Sequence, residues 1–189
     1  MAYTWAKFQV GNYTRSEVNA FSGLAKTGII LNSDFKAAFT DKTFERLKEL
    51  KMIESKSYVV NGKDVSVVRL TRTGKKFVKS AIVDKLYKYN VRQLSHDLKL
   101  SEKYISLSQA ERDTWVHEGK MNEQYEKMGI TPERMESENI KTIDACYINS
   151  DGETVGVEVV TENYSRETIQ GKMNAMRQFS GGAVIINVR

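Results

Sequence analysis

The chain of 189 residues holds one cysteine, one proline and two histidines. With Cys146 alone, no internal disulfide can form. His96 and His117 are not spaced with other ligands as a zinc site requires. This usage fits a reducing cytosol. No apolar run approaches the ~20 residues that span a bilayer. The opening stretch MAYTWAKFQV lacks the pattern of a signal peptide. A cytoplasmic protein with no membrane partner is therefore expected. There is no Walker loop and no dinucleotide glycine fingerprint, so no small-molecule cofactor is expected. Gly181-Gly182 follows a helical pattern instead of opening one, and reads as a turn. Nothing in the order of residues brings a serine, a histidine and an aspartate together for nucleophilic catalysis.

The remaining composition, 40% hydrophobic and 28% charged, is that of an ordinary globular chain, long enough for one large domain or two small ones. The net charge of +5 is unevenly spread. Residues 1–80 carry 15 Lys/Arg against 7 Asp/Glu, a net of +8, and the rest carries 14 against 17, a net of −3. The excess positive charge sits in the first half, which points to a polyanionic partner there.

Residues 3–13 (YTWAKFQVGNY) are aromatic-rich and could form a strand or a docking arm. A first helix starts at Thr14 or Ser16, either of which can cap it, turns Val18, Phe21 and Leu24 inward and ends at Gly28. A short apolar run, Ile29 to Leu31, leads to a second helix capped by Asn32, Ser33 and Asp34 and carrying Phe35 and Phe39. Thr40 or Asp41 caps a third, with Phe44, Leu47 and Leu50 at helical spacing. Two strand-like runs follow, joined at Asn61-Gly62, a strong hairpin signal. A last helix is expected from Gly74 to Tyr89, with Phe77, Val78, Ala81, Ile82 and Leu86 on one stripe; it could link to the second half or make a dimer contact.

Helix, hairpin and helix in this lysine-rich setting resemble a winged helix-turn-helix domain, with the hairpin as the wing. The step Leu70-Thr71-Arg72-Thr73-Gly74 is similar to the strand-to-helix joint of many bacterial winged-helix regulators. The resemblance implies double-stranded DNA as partner. Residues early on the third helix would reach the major groove: Lys42, Thr43 and Arg46, with Arg46 suited to guanine and Lys42 and Lys48 to phosphates. Lys56, Lys63 and Arg69 decorate the hairpin and complete the expected DNA-binding set.

In the second half, 91–107 reads as helix. From Ser108 to Gly129 two readings stay open: a long polar helix opened by the Ser108/Glu111 capping box, or a short strand at 114–118. Thr131-Pro132 marks a helix start or a turn. Ile140 to Asn149 and Glu153 to Thr161 read as strands around a turn at 150–152. Tyr164 to Phe179 is an amphipathic helix with Ile169, Met173 and Met176 inward, and Ala183 to Val188 is a buried-type strand. A hairpin, a helix and a final strand imply a mixed sheet with one crossover helix.

This order, with Asp144 in Ile143-Asp144-Ala145 and Glu158 in Val157-Glu158-Val159-Val160, resembles the core of the PD-(D/E)xK nucleases. In that family two carboxylates on adjacent strands hold magnesium, which activates water, and a lysine steadies the developing charge. Here Val160 stands where the lysine belongs and Ile143 where the proline does. Some members take the lysine from the following helix, which makes Lys172 the candidate; Glu111 or Glu118 could be an early acid. The resemblance implies Asp144, Glu158 and Lys172 as catalytic residues and Asp144 and Glu158 as magnesium ligands if the site is active, and no cofactor otherwise. A winged helix joined to such a core is similar to the replication-relaxation family of bacterial mobile elements. The expected layout is α+β or α/β: a winged helix over 1–80, linking helices over 81–110, and a small mixed-sheet nuclease-like domain over 111–189. The expected role is sequence-specific DNA binding in the replication or transcription control of a phage or plasmid, with a homodimer as an option. The alternative is a magnesium-dependent endonuclease aimed by its winged helix.

Overall fold

The computed structural model describes residues 11–162 and 164–188. The expected N-terminal strand or arm lies mostly outside them. The protein is a mixed α+β chain with two sheets. It divides into two compact units, one running to Ser106 and one starting at Leu107. No described helix is long and apolar enough to cross a membrane.

The first unit begins with helix α1 (Arg15–Thr27), opened by a capping box in which the Thr14 hydroxyl accepts from the Glu17 amide and the Glu17 carboxylate accepts from the Thr14 amide. Gly28 ends it at φ +76°, a conformation glycine adopts without strain. Strand β1 (Ile29–Leu31), helices α2 (Asn32–Phe39) and α3 (Asp41–Glu49), and strands β2 (Ile53–Val60) and β3 (Lys63–Leu70) follow. Helix α2 has no side-chain cap; Leu31 occupies the cap position, so Asn32, Ser33 and Asp34 lie inside the first turn. Asn61 and Gly62 both have positive φ, as a two-residue hairpin turn demands, and Val60 pairs with Lys63 across it. The sheet order is β1-β3-β2, antiparallel throughout.

Alternation along β3 serves two cores. Val68 and Leu70 face a cluster with Phe21, Phe35, Phe39 and Phe44. Val67 faces the other way, against Leu94 and Leu98. Truncating one of those buried phenylalanines to alanine should cost about 3–5 kcal/mol.

Helix α4 (Arg72–Ala81) stops eight residues short of the expected end. Residues 83–90 are neither helix nor strand because their tyrosines and amides have tertiary partners. The Tyr87 amide donates to the Ala25 carbonyl at 2.8 Å, and the Tyr87 hydroxyl and the Asn90 amide donate to buried Asp97 at 2.7 and 2.6 Å. Helix α5 (Leu94–Ser106) then covers the second face of the sheet. The segment expected as linking helices is thus, up to Ser106, part of the first unit.

In the second unit both open readings of 108–129 hold in part. Helix α6 (Gln109–Thr114) has the Ser108/Glu111 capping box, and a two-residue strand β4 (Val116–His117) and helix α7 (Met121–Lys127) follow it. Thr131 caps α8 (Pro132–Ser137). Strands β5 (Ala145–Ile148) and β6 (Thr154–Val160), helix α9 (Arg166–Met176) and strand β7 (Ala183–Asn187) complete the unit. The sheet order is β4-β5-β6-β7, with β6 and β7 parallel across α9 and the other pairs antiparallel. Ile140 and Ile143 enter the core from the segment before β5, so the strand expected from Ile140 is shorter. Strand β7 is at the sheet edge and half-exposed, with Ile185 at 47%, not fully buried as its composition suggests. Ile169 also faces outward; the inward side of α9 is Gly171, Ala175 and Met176.

Candidate functional site

The two sets of expected site residues fall in different units. In the first, a single residue, Thr40, separates α2 from α3. It holds φ +73° and ψ 150°, a strained conformation for a β-branched residue. Its hydroxyl accepts from the Thr43 amide at 3.3 Å. The two helices therefore meet in a tight turn whose geometry is set by Thr40. Asn32, at the start of α2, donates to the Ser66 hydroxyl at 2.8 Å and accepts from Ser55 at 3.3 Å, which ties the helix pair to the hairpin.

The expected DNA-binding residues divide. Lys42 and Lys48 are exposed on α3, and Lys56 and Lys63 are exposed on the hairpin. Lys48 lies over the Phe44 ring at 5.6 Å and Lys56 over Tyr58 at 5.6 Å. The other three have structural partners. Thr43 is buried, its hydroxyl 2.9 Å from that of Ser16. Arg46 Nε lies 3.2 Å from the carboxylate of buried Glu17, and its NH2 group donates to the Asn12 carbonyl. Arg69 is fixed by Glu54 at 2.8 Å and by the Tyr89 hydroxyl at 2.7 Å. Burial pushes the Tyr89 phenol up, but its hydrogen bonds with Tyr58 and Arg69 outweigh this and lower it. Sequence reasoning missed Arg72, Lys75, Lys76 and Lys79, which line a groove with Arg69 beside α4. Their spacing along one helix, with no acid among them, was the available signal.

In the second unit the structure brings Asp144, Glu158 and Lys172 together. Glu158 lies within the central strand β6, 1% exposed, and Asp144 immediately precedes β5 at 4%. The Asp144 amide donates to Glu158 Oε2 at 3.2 Å, and the Val159 amide donates to Asp144 Oδ2 at 2.7 Å. The crossover helix α9 delivers Lys172, whose Nζ lies 2.8 Å from Glu158 Oε1 and 3.0 Å from Oε2. Tyr164, which no sequence pattern singled out, donates to Glu158 Oε1 at 3.0 Å. Of the two early acids, Glu118 is adjacent, its amide donating to the Asp144 carbonyl at 2.6 Å. Glu111 is engaged in the α6 cap.

Burial, and then the charge of Asp144, push the Glu158 carboxyl up to about 7, although Lys172 and Tyr164 oppose them. The Tyr164 phenol is raised by burial and by Glu158. Burial alone raises the Cys146 thiol to about 12, which leaves it an inert core residue.

The donor set does not fit magnesium as arranged. A hard dication takes about six oxygen ligands, and both oxygens of Glu158 already accept from an ammonium, a phenol and an amide. No three His, Cys, Asp or Glu side chains converge among the described residues. The cluster is a buried ion pair that ties α9 to β6.

No family model, curated protein or solved structure matches this chain.

Proposed function

We propose that the first unit is a winged helix-turn-helix that binds double-stranded DNA, with α3 in the major groove and the β2–β3 hairpin as the wing. The observation that carries this reading is the arrangement of elements. A helix pair joined by a one-residue turn leads directly into a hairpin, which a short strand completes as a sheet of order β1-β3-β2. Four exposed lysines, Lys42, Lys48, Lys56 and Lys63, stand on the helix and hairpin that would meet the duplex, and they supply phosphate contacts. Arg46, Thr43 and Arg69 act in this reading as supports for that surface, since each has a structural partner. Base readout then falls to the other exposed positions of α3, among them Glu45 and Glu49.

The second unit acts as a nuclease-like scaffold without cleavage, and the whole serves replication or transcription control of a bacterial mobile element. Fluorescence anisotropy with a labelled duplex tests the reading. Four phosphate contacts would give a slope of log K against log salt of roughly −3 to −4. Absence of salt-dependent binding would refute it.

The juxtaposition of Asp144, Glu158 and Lys172 favours a second reading, a magnesium-dependent endonuclease. Against it stands the engagement of both Glu158 oxygens by Lys172, Tyr164 and the Asp144 amide. Plasmid nicking with magnesium or manganese that disappears in Asp144→Ala would establish it, and intact plasmid with both metals would end it.

A further inference from the structure

The basic groove beside α4 is lined by none of the four lysines assigned above, and it meets the hairpin at its base through Glu54 and Arg69. Between Arg69 and Arg92 the chain has 8 Lys/Arg and a single acid, Asp84. On α4 itself, Arg72, Lys75, Lys76 and Lys79 recur at intervals that put them on one stripe, about 10 Å long at 1.5 Å per residue. All four are exposed. The one carboxylate lining the groove, Glu54, is held by Arg69 at 2.8 Å. No carboxylate pairs with the four cations among the described residues in any ion pair found there.

Helix stability does not account for the stripe. A helix N-terminus favours acids, and the first turn of α4 has none while it carries Arg72. Protein docking does not account for it either. Interfaces between proteins draw their energy from apolar and aromatic anchors, and the apolar residues here, Leu70, Phe77 and Val78, are buried in the core. A bare row of cations matches a regular row of phosphates, where binding is driven by counterion release.

The stripe starts at the base of the hairpin, at the end away from the wing tip. Thr71 fastens the start of α4 to the α3–β2 corner, its hydroxyl donating to the Lys51 carbonyl at 2.6 Å. The hairpin runs from Ile53 and Leu70 at that corner to Val60 and Lys63 at its tip, about 20 Å away at ~3.3 Å per residue.

We propose that the α4 stripe is a second phosphodiester-binding surface, which holds another segment of nucleic acid while α3 and the hairpin hold the first, so that one chain bridges two segments. The bridging rests on the DNA-binding reading; the phosphate binding does not.

The test uses the full chain, one duplex on beads and a second, fluorescent duplex in solution. Capture of the free duplex should fall at least about tenfold in Lys75→Gln/Lys76→Gln/Lys79→Gln, while affinity for a single duplex stays within about threefold. Arg72→Gln/Lys79→Gln should act in the same direction, and circular dichroism melts confirm that both variants are folded. Capture by the triple variant equal to wild type overturns the proposal. Wild-type binding of one duplex with no capture of a second overturns it as well. Lys42→Gln/Lys63→Gln separates the two readings. If that variant binds a duplex as wild type does while the triple variant does not, the α3 reading falls and the α4 surface stands.

Discussion

Replacing Lys172 with methionine should destabilise the protein more at pH 8 than at pH 5. The lysine contacts both oxygens of Glu158 at 2.8 and 3.0 Å, and the two side chains are 12% and 1% exposed. Methionine keeps most of the aliphatic stem and removes the charge. At pH 8 the wild-type carboxyl is ionised in both states; without its cation the buried carboxyl takes up a proton instead, which at one pH unit above a folded pKa of about 7 adds about 1.4 kcal/mol to the loss of the contact itself. At pH 5 the folded carboxyl, with its pKa near 7, is already protonated, and the loss shrinks to about 1 kcal/mol, the scale of one hydrogen bond. The sign for the wild type follows from the same shift. A carboxyl raised from 4.5 to about 7 on folding favours the folded state fully below pH 4.5. This contribution, roughly 3 kcal/mol, is lost as the pH rises through 7. Urea denaturation of wild type and Lys172→Met at pH 5 and pH 8 measures both. Equal losses at the two pH values would refute the assignment of Glu158 as a buried acid held by this lysine.

Arg46→Ala should lower stability by roughly 1–3 kcal/mol, because it leaves the buried Glu17 carboxylate short of a partner, and thermal melts would show this without any DNA present. Gly74→Ala should lower the melting temperature, since a Cβ there would run into the Met52 carbonyl oxygen and such overpacking costs about 1–3 kcal/mol; urea midpoints check it. Arg72→Gln should raise stability by about 0.3–1 kcal/mol by removing a cation from a helix N-terminus, as read from the same denaturation curves.

Much of the architecture is legible from local chemistry. Asn61-Gly62 sets the hairpin because both residues must take positive φ. Thr14 with Glu17, Ser108 with Glu111, and Thr131 before Pro132 mark helix starts. The hairpin, crossover helix and final strand of the second unit follow from their periodicity. Other features depend on partners distant in sequence. Helix α4 has a stripe that would suit a longer helix, but Asp97 draws Tyr87 and Asn90 into an extended path. Arg46 and Thr43 occupy the side of α3 that an isolated amphipathic helix would show to solvent, and Glu17 and Ser16 of α1 claim them. The apolar composition of β7 does not disclose that it lies at a sheet edge. Asp144, Glu158 and Lys172 were picked out through a resemblance, and their meeting is a consequence of β5–β6 pairing and the α9 crossover. Tyr164 enters the cluster only through the path of the chain after β6.

If the first unit holds duplex DNA through α3 and the hairpin, fluorescence anisotropy across a salt series with wild type, Lys42→Gln and Lys63→Gln will register the loss of each lysine. The wild type should show a steep salt dependence, with each variant flattening the slope by about 1. A wild type that binds no duplex at low salt, or variants whose slopes match the wild type, would contradict it.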